Sequence, residues 1–278
     1  MFWLRGKDGE TPPSFCQDNM KKENHGEEIA KFGFSIIQSS LDDASCDKHK
    51  EIVPECKDCE EILSLVKSYQ THSHRFSCYK KKKYMKILPN EGYGRRDGEI
   101  EGAELRVPVC RYAFPKPPSN ETTFIQAFQN DLPKEVLKAA KEDYMKIKKY
   151  LIRLTHAENF RETIQWKTFC SLGFFDFLYE LGFLESLTDD ESKVEARNRY
   201  FNALRCDVKS TGLLILKRNC SEDIFVNNYN KTLLRLHQAN IDLQYITDEY
   251  AVAEYVCDYC TKVSSIMKFY LSHFRLQL

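Results

Sequence analysis

Across residues 27–38, apolar side chains recur at Ile29, Ala30, Phe32, Phe34, Ile36 and Ile37. The spacing predicts a helix, which Gly33 weakens. Residues 39–54 are polar and read as loop. A second helical pattern follows Cys59 through Ile62, Leu63, Leu65 and Val66 and runs into Tyr69. Pro133 suits the first position of a helix, and Val136, Leu137, Ala140, Tyr144, Ile147 and Leu151 hold the helical period to about residue 154. The aromatic-rich stretch 164–187, with Trp166, Phe169, Phe177 and Phe183 among its rings, reads as one buried helix turning at Gly182. Asp189, Asp190 and Glu191 open a further helix to about Cys206.

Strand patterns are fewer. Met1 to Leu4, Leu213 to Arg218 and Ile224 to Val226 read as short strands, and the alternation over 241–246 suits a half-buried one. Asn227-Asn228-Tyr229-Asn230 has turn chemistry, and a short helix follows over 232–238. Residues 91–102 are rich in glycine and charge and read as loop. The prolines of 108–118 exclude a regular helix or a central strand. Close to the end, Asp248 can cap a helix whose first turn holds Glu249. On that helix Tyr255 and Tyr259, four apart, share a face, with Lys262 three residues further. Two phenols beside a lysine suit a phosphotyrosyl nuclease; the same spacing also serves a packed amphipathic helix. Helices mixed with a few strands predict an α+β fold.

Composition narrows the picture. At 278 residues with 42 % hydrophobic content, the chain can bury one large core or two modest ones. Lys plus Arg equals Asp plus Glu at 41 each, so any nucleic-acid surface must be a local patch. No apolar run reaches the roughly 18 residues of a membrane span, and the first residues lack the pattern of a secretory leader. Eleven irregularly spaced cysteines without such a leader predict reduced thiols, some of them metal ligands, in the cytosol or nucleus.

His72, His74, Cys78 and Cys110 offer the two imidazoles and two thiolates of a structural zinc site. Their spacing is H-x-H-x3-C, then a gap of 31 residues before the last cysteine. Cys56 and Cys59 offer another half-site, and spacing alone does not choose four ligands from the six. Ser73 is not a hydrophobe, which separates this pair from the His-hydrophobe-His motif of rolling-circle nucleases. Within the gap, Lys80, Lys81, Lys82 and Lys83 stand between Tyr79 and Tyr84. That interleaving suits phosphate attraction with base stacking, and equally a solvated loop. Phosphate-binding, nucleophile-elbow and zinc-protease signatures are all missing, so this chain holds no ATP-driven motor of the Walker type.

Taken in order, several stretches resemble the Helitron-like N-terminal (helitron helicase-like) domain of rolling-circle transposases. They are Tyr69-Gln70-x-His72-x-His74 with Cys78; the run from Cys110 to Pro118; Lys217-Arg218; Asp223 to Asn230; Ala239 to Tyr245; and Asp248 through Tyr255, Tyr259 and Lys262. The resemblance spans residues 1–268 and implies a replication-initiator (HUH)-like nuclease core with helical insertions and a zinc-binding segment. It implies a partial core over 1–55, the Cys/His segment with its basic loop over 56–120, a helical region over 121–207, the rest of the core over 208–268 and a tail over 269–278. By resemblance Tyr255 and Tyr259 would be nucleophiles on single-stranded DNA, assisted by Lys262, with Mg²⁺ or Mn²⁺ held by a His-hydrophobe-His pair. In the family that pair precedes an apolar strand resembling Met1 to Leu4. The expectation is therefore a truncated, catalytically impaired nuclear domain whose helicase is supplied elsewhere. The alternative is a non-enzymatic, zinc-stapled module that binds nucleic acid or protein.

Overall fold

The computed structural model describes residues 24–94, 104–128, 132–208 and 212–245. The strand expected at Met1 to Leu4 and the helix expected to carry Tyr255, Tyr259 and Lys262 lie outside the described residues. Within them the architecture mixes helices with two antiparallel two-stranded sheets, an α+β arrangement.

The larger core is helical. Helix α3 (Lys134–His156, after α1 at His25–Ile36 and α2 at Lys57–Leu65) buries Ala140, Tyr144, Ile147, Leu151 and Thr155, one face at helical spacing. Against that face pack α4 (Ile164–Ser171), α5 (Phe174–Glu180) and α6 (Asp190–Leu204), through Trp166, Phe169, Phe177, Leu178, Tyr200 and Phe201. Tyr200 is fully buried, and its hydroxyl donates to the Pro118 carbonyl at 2.6 Å, which ties the proline-rich loop to this core.

The single helix expected over 164–187 is in fact two. The Thr163 side chain accepts from the Trp166 N–H at 3.1 Å and starts α4; Leu172 then turns extended. Gly173 restarts the chain, its N–H donating to the Asp176 carboxylate at 2.9 Å. Capping side chains, not the apolar count, set these boundaries. The chain leaves α5 through Gly182 at φ 69°, where the turn was expected.

Strand β3 (Thr123–Gln126), too short to stand out in the sequence, pairs with β4 (Gly212–Ile215), Phe124 opposite Leu214. Helix α1 lies across this ribbon. A Cβ on Gly33 would come within 2.4 Å of Leu214 Cδ2, so the residue that weakens the helix is the one that lets it approach the strand.

A second core gathers Ala44, Ile62, Val66, Val226, Tyr229 and Leu234 beneath α2 and α7 (Lys231–His237). The segment 224–226 is not a strand. It closes the 3₁₀ turn Glu222–Phe225, and Val226 bridges only to Thr71. Residues 241–245 also form no strand. Instead the side-chain amides of Asn227 and Asn228 donate to the carbonyls of Ile241 and Leu243, at 3.1 and 2.8 Å. Asn230 caps α7 by accepting from Leu233 N–H at 3.0 Å, and its amide reaches the Ile36 carbonyl at 2.9 Å. The buried Tyr229 hydroxyl donates to the Ser40 carbonyl at 2.8 Å. Each side chain of Asn227-Asn228-Tyr229-Asn230 thus stitches distant backbone together.

Candidate metal centre and basic hairpin

The ligand segment begins on the second core. After α2 the chain makes a π-helical turn, Val66–Gln70, and Thr71 then bridges Val226. The His72 N–H donates to the Phe225 carbonyl at 2.8 Å, which anchors the first imidazole. Its ring stacks on Phe114 with centroids 4.4 Å apart, while the His74 ring stacks on Tyr79 at 5.5 Å. The short turn Phe76–Cys78 delivers Cys78 to the start of β1 (Tyr79–Ile87). Strand β2 (Leu105–Cys110) ends on Cys110, which pairs with Tyr79. Antiparallel pairing therefore closes the long sequence gap and sets the second thiol beside the first. Pro108 is tolerated because the sheet has only two strands and no ladder needs its missing N–H on a further side.

The four expected ligands converge. His72 Nε2 lies 3.3 Å from His74 Nδ1, His74 Nδ1 lies 3.4 Å from Cys78 Sγ, and Cys110 Sγ lies 3.7 Å from His72 Nε2. All four ligand atoms lie within 4.8 Å of one another. A tetrahedral zinc with bonds of about 2.0–2.1 Å to nitrogen and 2.3 Å to sulfur has edges of about 3.3 Å between nitrogens and 3.6 Å between nitrogen and sulfur. The observed edges fit that figure. Two thiolates and two neutral imidazoles would also neutralise Zn²⁺, so the centre could be buried without a counter-ion.

The thiols differ in their surroundings. Burial acts to raise the Cys110 thiol, yet the His72 and His74 imidazoles and nearby backbone N–H groups outweigh it and hold the group at about 5. Burial, aided by the neighbouring Cys110, pushes Cys78 up. One sulfur of the pair is thus ready to ligate as thiolate, the form that binds metal.

Lys80, Lys81, Lys82 and Lys83 do not form the expected loop. They belong to β1, but β1 takes five residue steps from Tyr79 to Tyr84 where β2 takes only two from Cys110 to Pro108. The surplus is a bulge, with Lys82 in the left-handed region at φ 58°. All four lysines are exposed, as is Tyr84 beside them. Between this hairpin and the C-terminal end of α3 lies a groove of about 700 Å³, whose charged lining is Lys80, Arg111, Lys148 and Arg161 with the two carboxylates Glu158 and Asp207.

No protein-family model, curated protein or solved structure matches this chain. No described helix is long and apolar enough to cross a membrane.

The Cys56 and Cys59 half-site is separate from this centre. It meets Cys46 and His49 in a second group of four, and those two ligands were missed in the polar loop over 39–54. The signal available was the spacing C-x2-H-x6-C-x2-C. Tyr255, Tyr259 and Lys262 lie outside the described residues.

Proposed function

We propose that this chain is a zinc-stapled, single-stranded-DNA-binding domain of Helitron-like transposase descent, with an HUH-like core impaired in strand cleavage. The observation that carries the reading is the cationic groove beside the four-ligand centre. A chain of zero net charge sets four exposed lysines on a bulge next to the exposed Tyr84, and one of them, Lys80, also lines a groove with Arg111, Lys148 and Arg161 in its walls. Cations placed to track phosphates, beside an aromatic face for a base, are what sequence-tolerant single-strand binding requires. The metal would hold the hairpin that displays them. A nuclear location accompanies this reading.

Impaired cleavage is supported by ligand chemistry. A phenol titrates near about 10 and is a weak nucleophile at neutral pH without an activating cation. His72 and His74 form the only H-x-H pair in the sequence, and they sit in the N₂S₂ cluster with Cys78 and Cys110. That set suits zinc; Mg²⁺ and Mn²⁺ prefer oxygen ligands. Incubated with Mn²⁺ and a labelled single-stranded oligonucleotide, the protein is expected to form no covalent adduct. An adduct that disappears in Tyr255→Phe or Tyr259→Phe overturns the impairment.

Binding itself is tested by fluorescence anisotropy on a labelled oligothymidine at several salt concentrations. Each lost phosphate contact lowers the salt slope by about 0.7 on single strands, so replacing all four lysines by alanine should lower it by up to about 3 and weaken binding at least about tenfold. An unchanged slope and affinity would remove the basic bulge from the interface. Salt-independent or absent binding by the wild-type chain would favour the protein-binding alternative.

A further inference from the structure

We propose that the chain carries a second structural zinc centre, formed by Cys46, His49, Cys56 and Cys59, which clamps the loop preceding α2 onto the second core. The four ligand atoms lie within 4.8 Å of one another. Cys46 Sγ is 3.3 Å from His49 Nδ1 and 3.9 Å from Cys56 Sγ, and His49 Nδ1 is 3.4 Å from Cys59 Sγ. A tetrahedral zinc predicts about 3.6 Å for nitrogen–sulfur edges and about 3.8 Å for sulfur–sulfur edges. Ordinary packing gives no reason for three thiols and one imidazole to match these edges together.

The backbone around the group is built for ligation. The His49 N–H donates to the Cys46 carbonyl at 3.0 Å, closing a tight turn that points two ligands the same way. Cys56 stands at the N-cap of α2, so Cys59 follows after one turn on the same side. The Cys46 N–H donates to Cys59 Sγ at 3.3 Å, a bond that steadies a thiolate ligand from outside the metal. On binding, Zn²⁺ takes the place of three thiol protons, which pass to solvent, and three thiolates leave the centre with one negative charge. Lys231 is placed to offset it: its ammonium donates to the carbonyl of Ser45, next to the ligand Cys46, at 2.7 Å.

The position gives the centre its task. Cys46 and Cys59 are buried in the same cluster as Ile62, Val66, Val226 and Tyr229. Residues 45–56 hold no helix or strand of their own, and four ligands would staple both ends of that loop. The His72 centre hangs from the same core through Thr71 and Val226, so the second centre supports the first at one remove. None of this depends on nucleic-acid binding.

The test is zinc analysis of the purified full chain, followed by alkylation of the native protein and mapping of the protected cysteines. The proposal expects two zinc ions per chain, with Cys46, Cys56, Cys59, Cys78 and Cys110 all protected until a strong chelator is added. One zinc per chain with Cys46, Cys56 and Cys59 protected still supports this centre and removes the metal from His72. One zinc with those three cysteines alkylated overturns the proposal, and so does the absence of zinc. A second measurement follows the thiolate bonds themselves. With Co²⁺ in place of zinc, five thiolate bonds give the charge-transfer band, and Cys46→Ser with Cys56→Ser should lower it by at least about two-fifths. An unchanged band overturns the assignment.

Discussion

If the proposed zinc holds the hairpin, replacing Cys110 with serine is expected to release it and to unfold β1 and β2 while the helical core survives. Structural zinc contributes an apparent 10–16 kcal/mol or so in small zinc domains, where it holds the whole fold. Here its reach is local. Among the described residues the two strands pair only with each other, and an isolated two-stranded hairpin is marginal in water. Tyr79 and Cys110 form the closing pair of the ladder, directly beside the ligands. Hydrogen exchange followed by mass spectrometry should show protection of residues 84–87 and 105–107 falling at least about 100-fold, equivalent to about 2.7 kcal/mol. Protection in α3 and α6 should change little, because Ile147, Leu151, Phe177 and Tyr200 belong to a cluster separate from that of Cys78 and Cys110. A strong chelator added to the wild-type chain should reproduce the pattern. Unchanged hairpin protection under both treatments would mean that pairing alone holds the strands and that the ligand cluster carries no stabilising metal.

Asp223→Ala is expected to cost about 3–5 kcal/mol of global stability. Asp223 is 1 % exposed, and its side chain accepts three hydrogen bonds from two separate parts of the chain. The Ser40 hydroxyl and the Leu41 N–H donate at 2.7 Å each, and the Asn219 N–H donates at 3.1 Å. Alanine leaves three donors with no acceptor and parts the loop after α1 from the turn that leads to Val226. The Asp223→Asn variant keeps one side-chain oxygen, so roughly half the loss should return. Chemical denaturation of the three proteins measures this directly, and an alanine variant within about 1 kcal/mol of wild type would show that water takes over the carboxylate's role.

The same residue gives a pH dependence. Burial raises the Asp223 carboxyl above its ordinary 3.8, against the lowering by Leu41, Ser40 and Asn219. The folded state therefore holds this proton more tightly than the unfolded chain. Its contribution is fully present below 3.8 and is lost as the pH rises through the raised value. Asparagine does not titrate, so the stability gap between wild type and Asp223→Asn should narrow with rising pH across that window. A gap that widens instead would reverse the balance between burial and hydrogen bonding.

Much of the helical framework was legible because it rests on local periodicity. The face Ala140, Tyr144, Ile147, Leu151 appears in the sequence as it appears in α3, and the helix opened by Asp189 begins where its carboxylate caps it, at 3.1 Å from Ser192 N–H. Boundaries set by a competing side chain were not legible: Asp176 restarts the chain at Gly173 within an aromatic run that otherwise looks continuous. Strand reading failed where hydrogen bonding leaves the ladder. At 241–245 the alternation is present, but Asn side chains take the place of a partner strand.

For the candidate site, the sequence by itself determined the chemistry: two imidazoles and two thiols in one segment, four lysines between aromatic rings, and a charge balance that confines any anion-binding surface to a patch. Only the tertiary structure decided which ligands meet. Cys78 and Cys110 come together because β1 pairs back along β2, and Cys56 and Cys59 turn instead towards Cys46 and His49. Residue type is a local property that a sequence states outright. Convergence of ligands to within bonding distance of one ion depends on strand register and on the packing of a loop against a core, and those are settled by contacts between residues far apart in the chain.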